Sequence, residues 1–403
     1  MVATNTGRPR ILYLTHHLPW PTYSGGRLRE AEHLRRLAPR FDIEVIAVSK
    51  DPVLDRAHLR EAELAGVRAR IFSASLDASP ALSPHIRRHQ SAEARHHLAQ
   101  RLAGHPPPIV HVEGHYLFPL VPEHAHDRTL IIEHNVESEL FSQEARAGDD
   151  PRRAAALLAD ADLTRRTEQA CWRAAAVIGA VTEDDAAHIR RTFPGITVPV
   201  IPGGADHILG ALRRESVEGR IVFVANFGYP PNLDAARLIV EEILPGVWDY
   251  CPEATMTFTG PQPPDWLRAA AADRRVTVTG FVTEVTGHLD EACVVLVPLR
   301  IGGGIKIKVV EALARGRALV TTPVGLQGLR HLPDGAAVEC PDVPALIAAC
   351  VRLLRDPAER ERQESRALKA ATYLPTWGAS ADLLAATWDA LAATASHAAR
   401  VGS

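Results

Sequence analysis

Short runs rich in valine, isoleucine and leucine recur along the chain at 11–15, 43–48, 67–72, 109–112, 130–133, 177–180 and 198–201. Longer stretches of helical periodicity separate them. Several runs lack strict apolar/polar alternation, as parallel strands buried on both faces do. This pattern predicts a doubly wound α/β domain. Pro202-Gly203-Gly204-Ala205-Asp206 interrupts the series, and after the polar stretch 213–219 a second array starts at 221–224. It continues at 254–259, 276–279, 294–297, 318–321 and 336–338, with helical segments such as 232–243 and 305–315 between. Two domains are expected, at 1–205 and 206–375. In the tail, 376–403, Leu383, Leu384, Ala386, Trp388 and Leu391 fall at helical spacing, and this helix is expected to return to the first domain. A length of 403 residues agrees, because single cores usually stop growing below that size.

Composition narrows the class without naming a ligand. The chain is 46% hydrophobic and 23% charged, with a formal charge of -3, so there is no global attraction to nucleic acid, and membrane association is not indicated. Five cysteines, at 171, 251, 293, 340 and 350, form no C-x-x-C pair; no disulfide framework or metal site is expected, and a reducing cytoplasm fits. The apolar run after Arg10 is too short for a signal-peptide core or a membrane span. Of 19 histidines, 14 lie in the first 134 residues, and those around Pro-His-Ile-Arg-Arg-His-Gln, His85, His89, His96 and His97, read as a solvated helix face. The 73–101 region is basic enough to face an anionic acceptor or lipid headgroups, with bulk solvent the expected neighbour.

The most informative chemistry follows the run 294–297. Leu299-Arg300-Ile301-Gly302-Gly303-Gly304-Ile305 leads into a helix carrying Lys308 and Glu311. Three glycines let backbone approach a ligand, and the first amides of the helix point at it with the positive dipole end. Lys308, one turn into the predicted helix, is placed to reach a diphosphate. Glu311 lies three residues on, placed to accept from ribose hydroxyls. A second glycine turn, Ser24-Gly25-Gly26, follows the first strand, and there Gly25 and Gly26 are candidates to contact the diphosphate or an acceptor. Neither G-x-G-x-x-G nor a P-loop occurs, which argues against dinucleotide or ATP-hydrolysis sites. Two doubly wound domains facing each other would bring the carboxyl ends of both sheets to one interdomain cleft, where open α/β sheets bind ligands.

With these residues in place the chain resembles retaining glycosyltransferase family four, of GT-B fold. In the first half the likeness rests on Pro21-x-x-Ser24-Gly25-Gly26, Val110-His111-Val112-Glu113 and Glu133-His134-Asn135-Val136-Glu137. In the second it rests on Pro231-Asn232-x-Asp234-Ala235, Thr279-Gly280-Phe281-Val282, the glycine loop through Glu311-Ala312-Leu313-Ala314, and Val324-Gly325 with Gly328-Leu329. The resemblance implies a nucleoside diphosphate sugar as co-substrate, UDP-sugar favoured, and transfer of a hexose or N-acetylhexosamine to a hydroxyl of a small-molecule or glycan acceptor. It implies no separate cofactor and no metal. The main chain at Phe281 and Val282 would read the base, Glu311 would bind ribose, and Gly302, Gly303, Gly304 and Ile305 with Lys308 would hold the diphosphate. His134 would lie near the donor sugar, with Glu113 and His115 as acceptor-side candidates.

The sequence departs from the family in two places. Many relatives carry a second glutamate eight positions before the ribose-binding one, where this chain has Gly303. Many also carry an arginine and a lysine after the first strand of the second domain, where this chain reads Val224-Ala225-Asn226-Phe227-Gly228-Tyr229-Pro230-Pro231-Asn232. Asn226 is therefore a donor-side candidate, and Lys308, with Arg300 or Lys306, must supply the positive charge. Asp160-x-Asp162 resembles in spacing the metal-binding D-x-D of other glycosyltransferases, but on a helix its carboxylates diverge. Two other readings stay open at this point, a sugar-nucleotide 2-epimerase and a non-catalytic sugar-nucleotide-binding protein.

Overall fold

In the computed structural model, which describes residues 8–75, 82–103, 109–148, 150–208 and 215–401, the chain divides into two compact units. One comprises Met1–Pro202 and Trp377–Ser403, the other Gly203–Thr376. Residues 1–7, 76–81 of the basic region, and Arg213 and Arg214 of the predicted seam lie outside the described residues.

The first unit is built on strands β1 (Arg10–Thr15), β2 (Asp42–Ser49), β3 (Arg68–Ser73), β4 (Ile109–Glu113), β5 (Thr129–Glu133) and β6 (Val177–Ala180). They pair in parallel in the order β3-β2-β1-β4-β5-β6. The segment 198–201, expected as a strand, joins the sheet only through a parallel bridge between Ala180 and Val200. Pro199 and Pro202 flank that bridge and cannot donate to a ladder, which keeps the segment short.

The second unit repeats this plan with β7 (Arg220–Val224), β8 (Thr255–Thr259), β9 (Val276–Gly280), β10 (Val294–Val297), β11 (Leu319–Thr321) and β12 (Val338–Glu339), ordered β12-β11-β10-β7-β8-β9. Both sheets are Rossmann-like, and in each the strand order reverses once: between β1 and β4, and between β7 and β10. Those reversals are where open α/β sheets bind ligands, at the carboxyl ends of the strands.

The core of each unit explains why the periodicity was readable. β4, β5 and β10 are buried at every position. Phe223, Phe227 and Phe258 pack edge to face beneath the second sheet's carboxyl ends. The helix expected over 232–243 runs further in both directions, as Pro230–Leu238, a π-turn at Ile239–Ile243, and Leu244–Trp248. Pro230 and Pro231 suit its first turn, where no amide is needed. The π-turn immediately precedes Leu244-Pro245, where a proline would interrupt regular α-helical bonding.

The carboxyl-terminal helix Trp377–Val401 belongs to the first unit. Trp377 and Trp388 are buried, Trp388 packs edge-on against Phe41, and its indole N–H donates to His111 Nδ1 at 3.1 Å. His33 and Ser380 are hydrogen-bonded at 2.7 Å, and Arg40 pairs with Asp382. Among the described residues no helix is long and apolar enough to cross a membrane.

Candidate functional site

The β7/β10 reversal gathers most of the second-unit candidates. The turn after β7 is folded by Asn226, whose Oδ1 accepts from the Gly228 amide at 2.9 Å and whose carbonyl accepts from Asn232 Nδ2 at 2.7 Å. The loop after β10 contains Gly302, Gly303 and Gly304, the last at φ 62 in the left-handed region that favours glycine. Because Lys306 is extended and serves as N-cap, the helix starts only at Ile307 and runs to Ala314. Lys308 is thus in its first turn, not one turn in as the sequence suggested. That placement carries its side chain across to the β7 side, where Nζ donates to Asn232 Oδ1 at 2.5 Å and lies 4.8 Å from the centre of the Phe223 ring. A charge absent from the stretch after β7 is returned to it from another strand's loop.

Burial makes this ammonium responsive. Lys308 is 8% exposed, and loss of solvation together with the nearby Lys306 lowers its pKa from 10.5 to about 7, against the pull of Glu311. Above that pH the amine is neutral in the unliganded protein, and an anion that needs the ammonium must bring a proton with it. Affinity for inorganic sulfate, an anion that does not itself titrate in this range, should therefore be flat below about pH 6 and weaken toward ~10-fold per unit above pH 7. Calorimetry in buffers of different ionisation enthalpy would register the proton uptake; affinity constant from pH 6 to 9 would refute it.

Glu311 is equally buried and accepts from His207 Nε2 at 3.4 Å. Arg300 is paired with Asp234 through Nε and Nη2, so much of its charge is compensated on the spot. Lys306 turns inward: Nζ donates to the carbonyls of Gly303 at 2.9 Å and Gly304 at 2.8 Å and to Gln327 Oε1 at 3.1 Å. Phe281, directly after Gly280 at φ 71, is 55% exposed, with Val282 half-buried beside it. Ile305 is half-buried.

At the β1/β4 reversal of the first unit a second polar cluster centres on Glu113. Its carboxylate is fully buried and accepts from Tyr13 Oη, Arg29 Nη2, His134 Nε2 and, at 2.9 Å, His111 Nε2. Burial alone would raise its pKa; the Arg29 guanidinium, with His134 and His111, holds it well below the usual carboxylate range. Because His111 Nδ1 accepts from Trp388, its Nε2 carries the proton. His134 Nε2 is engaged by both the Glu113 carboxylate and the Arg29 guanidinium, leaving Nδ1 as the nitrogen able to meet a ligand.

Glu30, Glu113 and His134 bring three potential metal-ligand atoms within 4.8 Å of one another. Arg29 is ion-paired with Glu113 and lies 2.7 Å from His134 Nε2, so two members of this set already share a fixed cation. Glu30 pairs with His17 at 3.1 Å. The donor set reads as an ion-pair network.

The remaining first-unit candidates separate. Gly25 and Gly26 open the Gly25–Leu37 helix behind the Ser24 cap, and a Cβ on Gly26 would meet nothing within 4 Å. His115 is fully buried; although burial opposes its charge, Glu133 at 3.2 Å raises its pKa to about 9. That ion pair, with Trp172 donating to the same Glu133 at 2.6 Å, ties β5 to neighbouring segments.

Two histidines expected on a solvated face are not there. His89 is 2% exposed and His85 has its Nε2 buried, because both turn onto Tyr116; burial lowers the pKa of each. His96 is exposed, and His97 binds Glu44 at 2.7 Å. Asp162 pairs with Arg166 on the Pro151–Ala174 helix, as expected for a solvated face.

Sequence reasoning missed Tyr13, Arg29, Asn232 and His207. A signal existed for the first cluster: His111 and Glu113 alternate on a strand with no exposed position, so both must find buried partners.

Residues 218–356 match the family model described as Glycosyl transferases group 1. No curated protein matches the chain. Among solved structures, the fold is similar to sucrose-phosphate synthase from Thermosynechococcus elongatus, with 16% identity over 96% of this chain and 100% of that one and a TM-score of 0.68. It is similar to Anabaena HepE in complex with UDP, at 13% identity, 94% and 100% coverage and a TM-score of 0.67. It is also similar to WaaG, a glycosyltransferase involved in lipopolysaccharide biosynthesis, at 14% identity, 92% and 99% coverage and a TM-score of 0.63. The fold is therefore that of the GT-B glycosyltransferases.

Proposed function

We propose that this protein is a retaining glycosyltransferase that moves a hexose or N-acetylhexosamine from a nucleoside diphosphate sugar, with UDP-sugar favoured, to a hydroxyl of a small-molecule or glycan acceptor without a metal. The observation that carries this reading is the β7/β10 site, where a glycine loop, a buried lysine and a buried glutamate meet at one helix start. The family match spans all of these residues, and HepE, of the same fold, has been captured with UDP.

The chemistry follows from charge. Cleaving the anomeric C–O bond leaves negative charge on the diphosphate, so groups placed around that phosphate lower the barrier directly. Lys308 and the helix amino terminus are the proposed stabilisers. With retention, the acceptor oxygen attacks the anomeric carbon on the face the diphosphate leaves, and its proton passes to the departing phosphate oxygen. His134, held through Nε2 by Glu113, is proposed to hydrogen-bond the sugar through Nδ1, with Glu113 as its support. Phe281 and Val282 would meet the base.

Glu311 is assigned the ribose hydroxyls, an interaction made equally in ground and transition states. Glu311→Ala should raise KM about 10- to 100-fold and leave kcat nearly unchanged. Initial-rate kinetics checks this, and a fall in kcat at constant KM would contradict the assignment.

The overall test is a thermal-shift screen against nucleoside diphosphate sugars, followed by product analysis with and without an acceptor. A shift for one donor and acceptor-dependent transfer are expected. Isomerisation of the donor alone would instead identify an epimerase, and no shift with any donor would sink the proposal.

A further inference from the structure

The glycine loop after β10 carries two lysines of similar burial, and they face opposite tasks. Lys308 reaches toward Asn232, whereas Lys306 bends back over its own loop onto the carbonyls of Gly303 and Gly304 and the Gln327 side chain. The room for this is specific. A Cβ on Gly302 would stand 3.0 Å from Lys306 Cε and 3.4 Å from Nζ, so the lysine stem lies across the place where a side chain would otherwise be.

The direction of those two carbonyls decides the direction of two amides. In a trans peptide the C=O and the following N–H point opposite ways. With the Gly303 and Gly304 carbonyls turned onto Lys306, the N–H groups of Gly304 and Ile305 are turned away from it. Among the described residues neither N–H meets a protein acceptor. Gly304 is in the left-handed region, the conformation that lets successive amides converge into an anion-binding nest.

We infer that Lys306 is a positioning residue: it clamps the glycine loop from behind so that the Gly304 and Ile305 amides form a preset nest for a phosphate, and it does not contact the phosphate itself. The inference rests on the proposed donor function for the identity of the phosphate. Lys306 adds a second effect by proximity, since its charge helps depress the Lys308 pKa.

The clamp is testable without the ligand. In the unliganded full-length protein, Lys306→Met should speed hydrogen exchange at least ~10-fold in peptides spanning 300–314, where the Val309 and Val310 amides bond to the Lys306 carbonyl, while peptides from β7 to β9 exchange as in wild type. The same variant should bind UDP about 30-fold more weakly by calorimetry. The pH midpoint of UDP binding should move upward, because the repulsion on Lys308 is gone. Lys306→Gln, which keeps a donor but no charge, should restore part of the exchange protection while still raising the midpoint, and it serves should Lys306→Met fail to fold.

Unchanged exchange in both variants overturns the clamp, whether or not UDP affinity falls; a fall in affinity alone would make Lys306 a direct phosphate ligand. Faster exchange with undiminished UDP affinity overturns the positioning role. A wild-type protein that binds no nucleoside diphosphate, with the exchange result as expected, overturns the donor reading and leaves the clamp standing as a property of the loop.

Discussion

Replacing Lys308 with alanine should reduce kcat/KM for glycosyl transfer by about 10³-fold or more, the size expected when a transition-state charge partner is removed from a site shielded from water. Two cations of the loop reach the helix that follows β7, but Arg300 is neutralised there by Asp234, whereas Lys308 meets only the uncharged Asn232 side chain and Lys306 turns back onto loop carbonyls. Its loss also leaves Asn232 Oδ1 without its lysine donor, at a cost of about 1–3 kcal/mol. Unfolding should remain cooperative, with stability close to wild type, because removing a desolvated charge offsets part of that cost. Steady-state kinetics beside a denaturant melt separates the two effects. Turnover within a few-fold of wild type would remove Lys308 from the diphosphate site and with it the central argument for the activity.

The second large effect is on the first unit. Glu113→Ala should destabilise the protein by roughly 3–5 kcal/mol, since it strands the buried Arg29 guanidinium and takes the acceptor from Tyr13, His111 and His134 at once. Urea unfolding followed by intrinsic fluorescence reads this directly, Trp388 being linked to the same network through His111. A loss below about 1 kcal/mol would show that water replaces the carboxylate, contrary to the burial seen. The wild-type acid limb has a definite sign. Glu113 has a folded pKa well below 4.5, so its contribution is complete above the ordinary carboxylate range and declines as pH falls toward the folded value. Glu113→Gln should lose that limb.

These two residues also show how far the chain could be read before folding. Lys308 was legible as a phosphate-binding cation because spacing after a strand and a glycine loop is local information. Its partner was not, because Asn232 lies 76 positions away and meets it only through the parallel pairing of β7 with β10. Glu113 was legible as a polar residue on a strand, but its four donors come from β1, β4, the Gly25–Leu37 helix and the residue after β5. His85 and His89 were misjudged for the same reason: a polar local sequence looked solvated, and only the packing of Tyr116 against both rings buries them.

The division follows from range. The period of apolar residues determined two parallel sheets, the place where the second array begins and the returning terminal helix, since burial of one strand or helix face is written in neighbouring positions. Tertiary structure alone decided which way each buried charge points. Lys306 and Lys308 are two residues apart and chemically alike, yet one closes its own loop and the other crosses to the next strand. An ion in a low-dielectric interior must go where its partner is, and that partner is set by strand order rather than by sequence spacing.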